Sequence, residues 1–406
     1  MDAVMTNNEG PRANSVVIVG GCGHAGLPLG LALADHGLDV TAYDVDREAV
    51  NAVNAGRMPF MEEGGPEVLS RVLAKGSFRA TDDPATAADA KYVVVVIGTP
   101  VDQYLNPDPE SIPMALDPIH DHLTDGQLIV LRSTVYPGVT AALERKLAAW
   151  GLDVDVAFCP ERIAEGHAMT ELRELPQIVS GRTDRAQRLA AELFSHLTSD
   201  IVFLSPEEAE LAKLFTNTWR YIRFAIANQL FTMANDYGLD YERIRAAIRH
   251  NYPRAADLPA AGFAAGPCLL KDTAQLGAFN DNNFTLGHAA TLVNEGLPNY
   301  LVTKLASKHD LSTMSIAILG MAFKAESDDI RSSLSYKLKR ILRFKAREVL
   351  CSDPFVTNDP DLLPLEEAVE RADLVIIGAP HRLYADLALD KPIVDIWNLR
   401  GGGVLV

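Results

Sequence analysis

The sequence predicts an α/β protein made of two doubly wound halves joined by a long central helix. Three observations predict it. Continuous apolar runs alternate with helical patterns from Ser15 through Leu204 and again from Ser315 onward, as parallel strands buried on both faces require. Between these regions, Pro206 to Tyr237 runs without a helix breaker. Finally, Leu374-Val-Ile-Ile-Gly-Ala-Pro380 echoes the segment Val94 to Pro100, as a duplicated half would.

The first half opens with the apolar run Ser15 to Gly20, which leads straight into Gly21-Cys-Gly23-His24-Ala25-Gly26 and a helical pattern over 27–36. A second strand, Asp39 to Tyr43, ends at Asp44, with Arg47 just beyond. Strand, G-x-G-x-x-G, helix, strand and terminal acid together form the dinucleotide fingerprint of a Rossmann-like domain. The glycines admit a pyrophosphate at the helix N-terminus, and Asp44 suits a ribose hydroxyl, which favours NAD over NADP. Further strands end in polar groups: Gly98-Thr99-Pro100, Arg132-Ser133-Thr134 and Cys159-Pro160-Glu161. Such strand ends form the ligand edge of an open α/β sheet. Glu161 is there either a candidate acid/base or a solvated loop carboxylate.

At Ser205-Pro206-Glu207-Glu208 a capping box starts the long helix. Its second half (Trp219, Ile222, Phe224, Ala225, Ile226, Leu230, Phe231, Met233) is apolar on nearly every face, so a subunit interface is expected to cover it. Lys213 and Asn217 share one face near its start. Tyr252-Pro253-Arg254 then leads to Gly262-Phe-Ala-Ala-Gly266-Pro267-Cys268-Leu-Leu-Lys271-Asp272. Pro267 at the first helical position would put Cys268 in the first turn, where the helix end favours a thiolate. Asp272 then shares its face. Taken alone, the same stretch also fits a buried structural cysteine beside a cap.

The second half, Ser315 to Gly320, Arg347 to Ser352 and Leu374 to Gly378, lacks G-x-G-x-x-G. Its ligand is therefore expected not to be another dinucleotide. Lys324 and Arg331 fall just past a strand end, suited to a phosphate. The domains are read as a disordered tail over 1–14, a cofactor domain over 15–204, a helical cysteine domain over 205–305 and a second Rossmann-like domain over 306–406.

Bulk properties narrow the function. The formal charge of -17 on 406 residues leaves no basic surplus for nucleic acid or an anionic membrane. No apolar run reaches membrane-spanning length. Cys22, Cys159, Cys268 and Cys351 lie far apart, which fits a reducing cytoplasm and neither a disulfide framework nor a metal site.

Taken together, these motifs resemble the UDP-glucose/GDP-mannose dehydrogenase family, over essentially the whole chain from Ser15. The segments that carry the resemblance are Gly21-x-Gly23-x-x-Gly26, Gly98-Thr99-Pro100, Ser133-Thr134-Val135-x-Pro137-Gly138, Pro160-Glu161-x-x-x-x-Gly166, Glu210-x-x-Lys213-x-x-x-Asn217, Cys268-x-x-Lys271-Asp272 and Gly320-x-Ala322-Phe323-Lys324-x-x-x-Asp328-Asp329-x-Arg331. The resemblance implies a homodimer and an NAD-dependent, four-electron oxidation of a nucleotide sugar at C6. It implies Cys268 as nucleophile, Glu161 as base aided by Thr134, Lys213 and Asn217 at the oxyanion, and Asp272 orienting water or sugar. It places Arg254, Gly266 and Lys324 on the substrate, with Glu165 and Arg331 near the cofactor.

A UDP-glucose-type substrate is the main expectation, with an N-acetylhexosamine or a two-electron hydroxyacid-type oxidation as alternatives. A non-catalytic nucleotide-sugar binder is a third reading. Tyr252-Pro253-Arg254 looks like the N-acetylhexosamine members, and Cys268-x-x-Lys271-Asp272 like the UDP-glucose members. The cysteine loop is richer in alanine than in the family, so its methyls are expected to narrow the sugar pocket or shift its backbone. Trp397 follows Asp395 where many relatives place an arginine, and is expected to stack on the base.

Overall fold

The computed structural model describes residues 12–99, 101–102 and 107–406. Pro100 and the first eleven residues of the expected tail lie outside these. The chain forms two compact units, 1–215 and 216–406, and the division falls inside the helix Pro206–Asp236.

The first unit holds eight strands: β1 (Arg12–Val19), β2 (Asp39–Tyr43), β3 (Phe78–Thr81), β4 (Ala90–Val95), β5 (Leu128–Leu131), β6 (Asp155–Phe158), β7 (Gln177–Gly181) and β8 (Ile201–Leu204). Their order is β3-β2-β1-β4-β5-β6-β7-β8. Strands β1 to β6 are parallel, β7 is antiparallel to β6, and β8 is parallel to β7. Strand β1 begins at Arg12, earlier than the Ser15 start read from the sequence. The Ser15 hydroxyl explains the extension: it bonds Arg12 O and Asp89 O and accepts from Lys91 N, tying polar residues into the sheet.

The second unit carries a four-stranded parallel sheet, β9 (Ser315–Leu319), β10 (Glu348–Ser352), β11 (Leu374–Ile377) and β12 (Ile393–Val394), ordered β10-β9-β11-β12. The order matches β2-β1-β4-β5, so the sequence echo is a structural repeat. Its core joins the sheet to helices, with Phe231, Leu301, Ile316, Ile318 and Ile376 fully buried.

The 31-residue helix Pro206–Asp236 starts at the expected capping box. Ser205 N donates to Glu208 Oε2 and Glu208 N donates to Ser205 Oγ. Its second half is two-faced rather than apolar all round. Tyr221, Ala227, Asn228 and Phe231 are buried in the unit, whereas Trp219, Ile226, Leu230 and Met233 stand exposed at helical spacing, with Tyr237 exposed just past the helix end.

Candidate active site

In the first unit, Gly20 N and Gly21 N both donate to Tyr43 O, which turns the chain sharply out of β1. A Cβ on Gly21 would lie 2.7 Å from Ala42, and one on Gly26 would lie 2.3 Å from Gly20 O. Those two glycines are demanded by the protein's own packing. Gly23 is not: its Cβ would meet only Gly20 O, at 3.6 Å. The space over Gly23 is therefore open to a ligand's backbone approach. The helix Gly26–Asp35 has Ala25 at its N-cap and no side-chain cap; Leu27 N donates to Gly23 O and Pro28 carries no N–H, so the Ala25 and Gly26 amides and the helix end are what the turn offers an anion. Asp44 is half-buried and accepts from Cys22 N at 2.9 Å and Asp46 N at 3.1 Å, keeping lone pairs for a ribose hydroxyl. These donors and this acceptor fit NAD. His24 stacks on Phe60 at 4.1 Å, and Arg47 pairs with Asp82 at the exposed rim.

The polar strand ends of this unit converge. Ser133 Oγ bonds both Ile97 N and Ile97 O, and Thr99 Oγ1 donates to Thr134 O at 2.7 Å. Glu161 meets a residue that sequence reasoning did not assign, Arg132. The Arg132 guanidinium is 2% exposed and reaches Glu161 Oε2 through Nε at 2.7 Å and Nη2 at 2.6 Å. Its remaining arm bonds Cys159 O and Gln177, and its plane lies over Phe194. Glu161 Oε1 accepts from the amides of Arg162 and Ile163, while Lys213 donates to the Glu161 carbonyl. Glu161 is thus fixed in a defined orientation, and removing one partner of such a buried pair costs about 3–5 kcal/mol. Glu165 lies half-buried on the same loop. Glu210, from the long helix, caps the helix Val139–Ala149 through Gly138 N and Thr140.

In the second unit, the cysteine helix is Leu269–Phe279 with Cys268 at its N-cap. Pro267 therefore precedes the helix instead of opening it, which corrects the expected start. The thiol still stands at a helix N-terminus and is exposed. Cys268 O accepts from Asp272 N at 2.9 Å. Asp272 is completely buried; its Oδ2 accepts from Asn217 Nδ2 at 2.5 Å. Its Oδ1 makes no hydrogen bond, with the Lys271 ammonium 3.4 Å away outside hydrogen-bond geometry.

The cysteine loop is held by a buried amide network that the sequence did not disclose. Asn228 exchanges two bonds with Gly262 at 3.0 Å each and bonds Asn294, which donates to Tyr221 O. The loop's alanines are core residues: Ala261 and Ala264 are buried, so these two methyls pack inward, correcting the expected pocket-narrowing role for them. Trp397 is likewise a packing residue. A Cβ on Gly262 would lie 2.3 Å from its ring, and its indole N–H donates to Ile377 O.

Gly266, at φ +104°, faces Phe323, whose ring a Cβ would meet at 2.8 Å. Lys324 is the next residue, and Arg331 is forked onto Asp329. Arg254 is exposed, and its Nη1 donates to Tyr252 Oη at 3.3 Å.

Burial separates the four cysteines. It pushes the Cys22 thiol up to about 12, aided by Asp44 and Asp46, the Cys159 thiol up to about 12, and the Cys351 thiol up to about 11. Those three are held as neutral thiols. Cys268 alone is exposed at a helix end.

Residues 15–198 match the NAD binding domain of the UDP-glucose/GDP-mannose dehydrogenase family, residues 207–295 its central domain and residues 317–400 its UDP binding domain. The chain is 31% identical to the UDP-N-acetyl-D-mannosamine dehydrogenase of Pyrococcus horikoshii over 90% of its own length and 89% of that protein's. It is 29% identical to the NDP-N-acetyl-D-galactosaminuronic acid dehydrogenase of Ralstonia nicotianae, covering 94% and 93%. The solved structure of the Pyrococcus horikoshii enzyme superposes with a TM-score of 0.84 at 28% identity, over 92% of this chain and 91% of that one. With the NAD loop, the strand-end acid and the helix-end cysteine all in place, the chain belongs to the UDP-glucose/GDP-mannose dehydrogenase family and is an NAD-dependent nucleotide-sugar dehydrogenase.

Proposed function

We propose that the chain oxidises the C6 alcohol of a UDP-N-acetylhexosamine to the carboxylate, in a four-electron reaction. The observation that carries the chemistry is Cys268, an exposed thiol at a helix N-terminus with the buried Asn217–Asp272 pair one turn further on. The names of the relatives and the Tyr252-Pro253-Arg254 segment support an acetylated sugar over UDP-glucose. When bound, NAD would accept a hydride in each of two oxidations, with the C6 hydroxyl proton of the first passing to water. The protein's residues do the rest. The Cys268 thiolate adds to the C6 aldehyde: a C–S bond forms and the carbonyl pair moves to oxygen, where Lys213 and Asn217 offer an ammonium and an amide. The second oxidation leaves a thioester. Water, losing its proton to Glu161 and positioned with Thr134, adds to it and expels the thiolate. Asp272 Oδ1 is the acceptor suited to a sugar hydroxyl or water. Arg254, Gly266 and Lys324 serve the sugar diphosphate, while Thr99, Glu165 and Arg331 serve the cofactor. In this reading the domains run 15–204, 205–305 and 306–406, and the enzyme works in the cytoplasm. Among the described residues no helix is long and apolar enough to cross a membrane.

The enzyme acts as a homodimer in this reading, with a second copy covering the exposed stripe of Trp219, Ile226, Leu230, Met233 and Tyr237. Met233→Glu then gives a monomer by sedimentation, and a wild-type monomer at micromolar concentration refutes the dimer. The substrate reading is tested with UDP-N-acetylmannosamine, UDP-N-acetylglucosamine, UDP-glucose and GDP-mannose, counting NADH for each sugar consumed. Two NADH from an acetylated UDP-hexose is the expected result. Preference for UDP-glucose refutes the sugar assignment, and one NADH refutes the four-electron course.

A further inference from the structure

His381 is completely buried just beyond β11, and no part of the reaction above uses it. Its Nε2 lies 3.1 Å from Asp353 Oδ2, and its Nδ1 lies 2.9 Å from Glu326 N. An amide nitrogen only donates, so Nδ1 is the unprotonated nitrogen and Nε2–H donates to the carboxylate. Phe355 and Tyr384 pack against the ring, with centroids at 4.9 and 5.5 Å.

Both partners matter for their place in the fold. Leu319, the last residue of β9, pairs with Ser352, and Asp353 follows; Val19, the last of β1, pairs with Tyr43, and Asp44 follows. Asp353 is therefore the counterpart of the ribose-type acid. Its Oδ2 is filled by His381, Met321 N and Ala322 N, and its Oδ1 by Phe355 N and Val356 N. Glu326 belongs to the loop over 320–333, which also carries Phe323 and Lys324. It sits at φ +52° and accepts from Arg382 N through its side chain. A non-glycine residue in that conformation is held by its surroundings. Phe323 in turn packs on Gly266, two positions before Cys268.

We propose that His381 is a positioning residue for the nucleotide-sugar site: it closes Asp353 to a ribose and, through Nδ1, fixes the loop that presents Phe323 and Lys324. The inference rests on the reading of that loop as a diphosphate holder. It explains how a Rossmann-like half gives up dinucleotide binding and becomes the rigid seat of a uridine diphosphate.

The test is calorimetric titration of the full chain with UDP and, separately, with NAD. His381→Gln keeps a donor for Asp353 and loses the acceptor for Glu326 N. Its Kd for UDP is expected to rise roughly tenfold or more, with Kd for NAD unchanged. His381→Asn, whose carboxamide oxygen stands near the place of Nδ1, is expected to recover most of the affinity. Wild-type UDP affinity in His381→Gln overturns the proposal, as does an equal loss of UDP and NAD binding. If neither variant folds, nitrogen NMR of the wild-type imidazole decides. An unprotonated Nδ1 whose shift moves on UDP addition supports the proposal, and a protonated Nδ1 or a shift blind to UDP overturns it. A wild-type chain that binds NAD but not UDP refutes the reading of the loop, and this inference with it.

Discussion

The four-stranded second sheet and the β2-β1-β4-β5 part of the first share a strand order and a register, yet their ligand edges are finished in opposite ways. In the first, the turn after β1 is made of glycines, the space over Gly23 is open, and Asp44 is half-buried with lone pairs to spare. In the second, the same turn holds Gly320, Met321 and Ala322, and Asp353 is saturated by four amides and a histidine. One edge is built to receive a ligand's backbone, the other to hold a loop still. A common frame therefore does not fix the ligand; the side chains at the strand ends do.

The comparison can be broken most severely at Gly26. A Cβ there lies 2.3 Å from Gly20 O, so Gly26→Val should cost about 3 kcal/mol or more by overpacking. Thermal melts should show the loss, and a stable variant would mean the turn is not packed as described.

Next in size is the contrast between the two acids. Asp353→Asn turns donors against the donors of Met321, Ala322 and His381, and should destabilise by about 1–3 kcal/mol. Asp44→Asn should barely move the melting temperature and should weaken NAD. Acid sensitivity sharpens the difference. Burial acts to raise the Asp353 carboxyl, but hydrogen bonds from His381 and from the Ala322 and Phe355 amides outweigh it and hold it below the ordinary carboxylate value. A carboxyl lowered on folding contributes stability that is full above its unfolded pKa and is lost as pH falls through its folded pKa. The acid-side loss of stability should therefore shrink in Asp353→Asn, and an unchanged acid limb would show that Asp353 does not carry it.

The smallest and most selective effect is expected at Gly23. Because the protein has room for a Cβ there, Gly23→Ala should keep its melting temperature. It should lose roughly tenfold in NAD affinity, about 1.4 kcal/mol, with UDP affinity unchanged. Unaltered NAD binding would mean that no ligand approaches that space.

How far the sequence discloses this arrangement depends on the range of the interaction. Buried parallel strands such as β1 and β4 are apolar runs, and a capping box is a four-residue signal, so both are legible. Strands β3, β7, β8 and β12 are not. They are short, and β8 is half-exposed at a sheet edge, so none shows a long apolar run. Motifs around Cys268, Glu161 and Lys213 could be read because they are local. Arg132 on Glu161, Asn228 on Gly262 and His381 on Asp353 could not, since each pairs residues brought together only by the fold. The packing of Trp397 on Gly262 is hidden for the same reason, since the two are remote in sequence.

The claim on which the rest depends is that Cys268 carries the second oxidation, and Cys268→Ser tests it most directly. A hydroxyl is far less acidic than a thiol, adds poorly to the aldehyde and forms a more stable ester. The variant, given NAD and an acetylated UDP-hexose, should bind NAD as the wild type does, show almost no steady-state NADH production, and hold any product as a covalent ester visible by intact mass. Release of two NADH for each sugar at the wild-type rate would show that Cys268 is structural and that the thioester course is wrong.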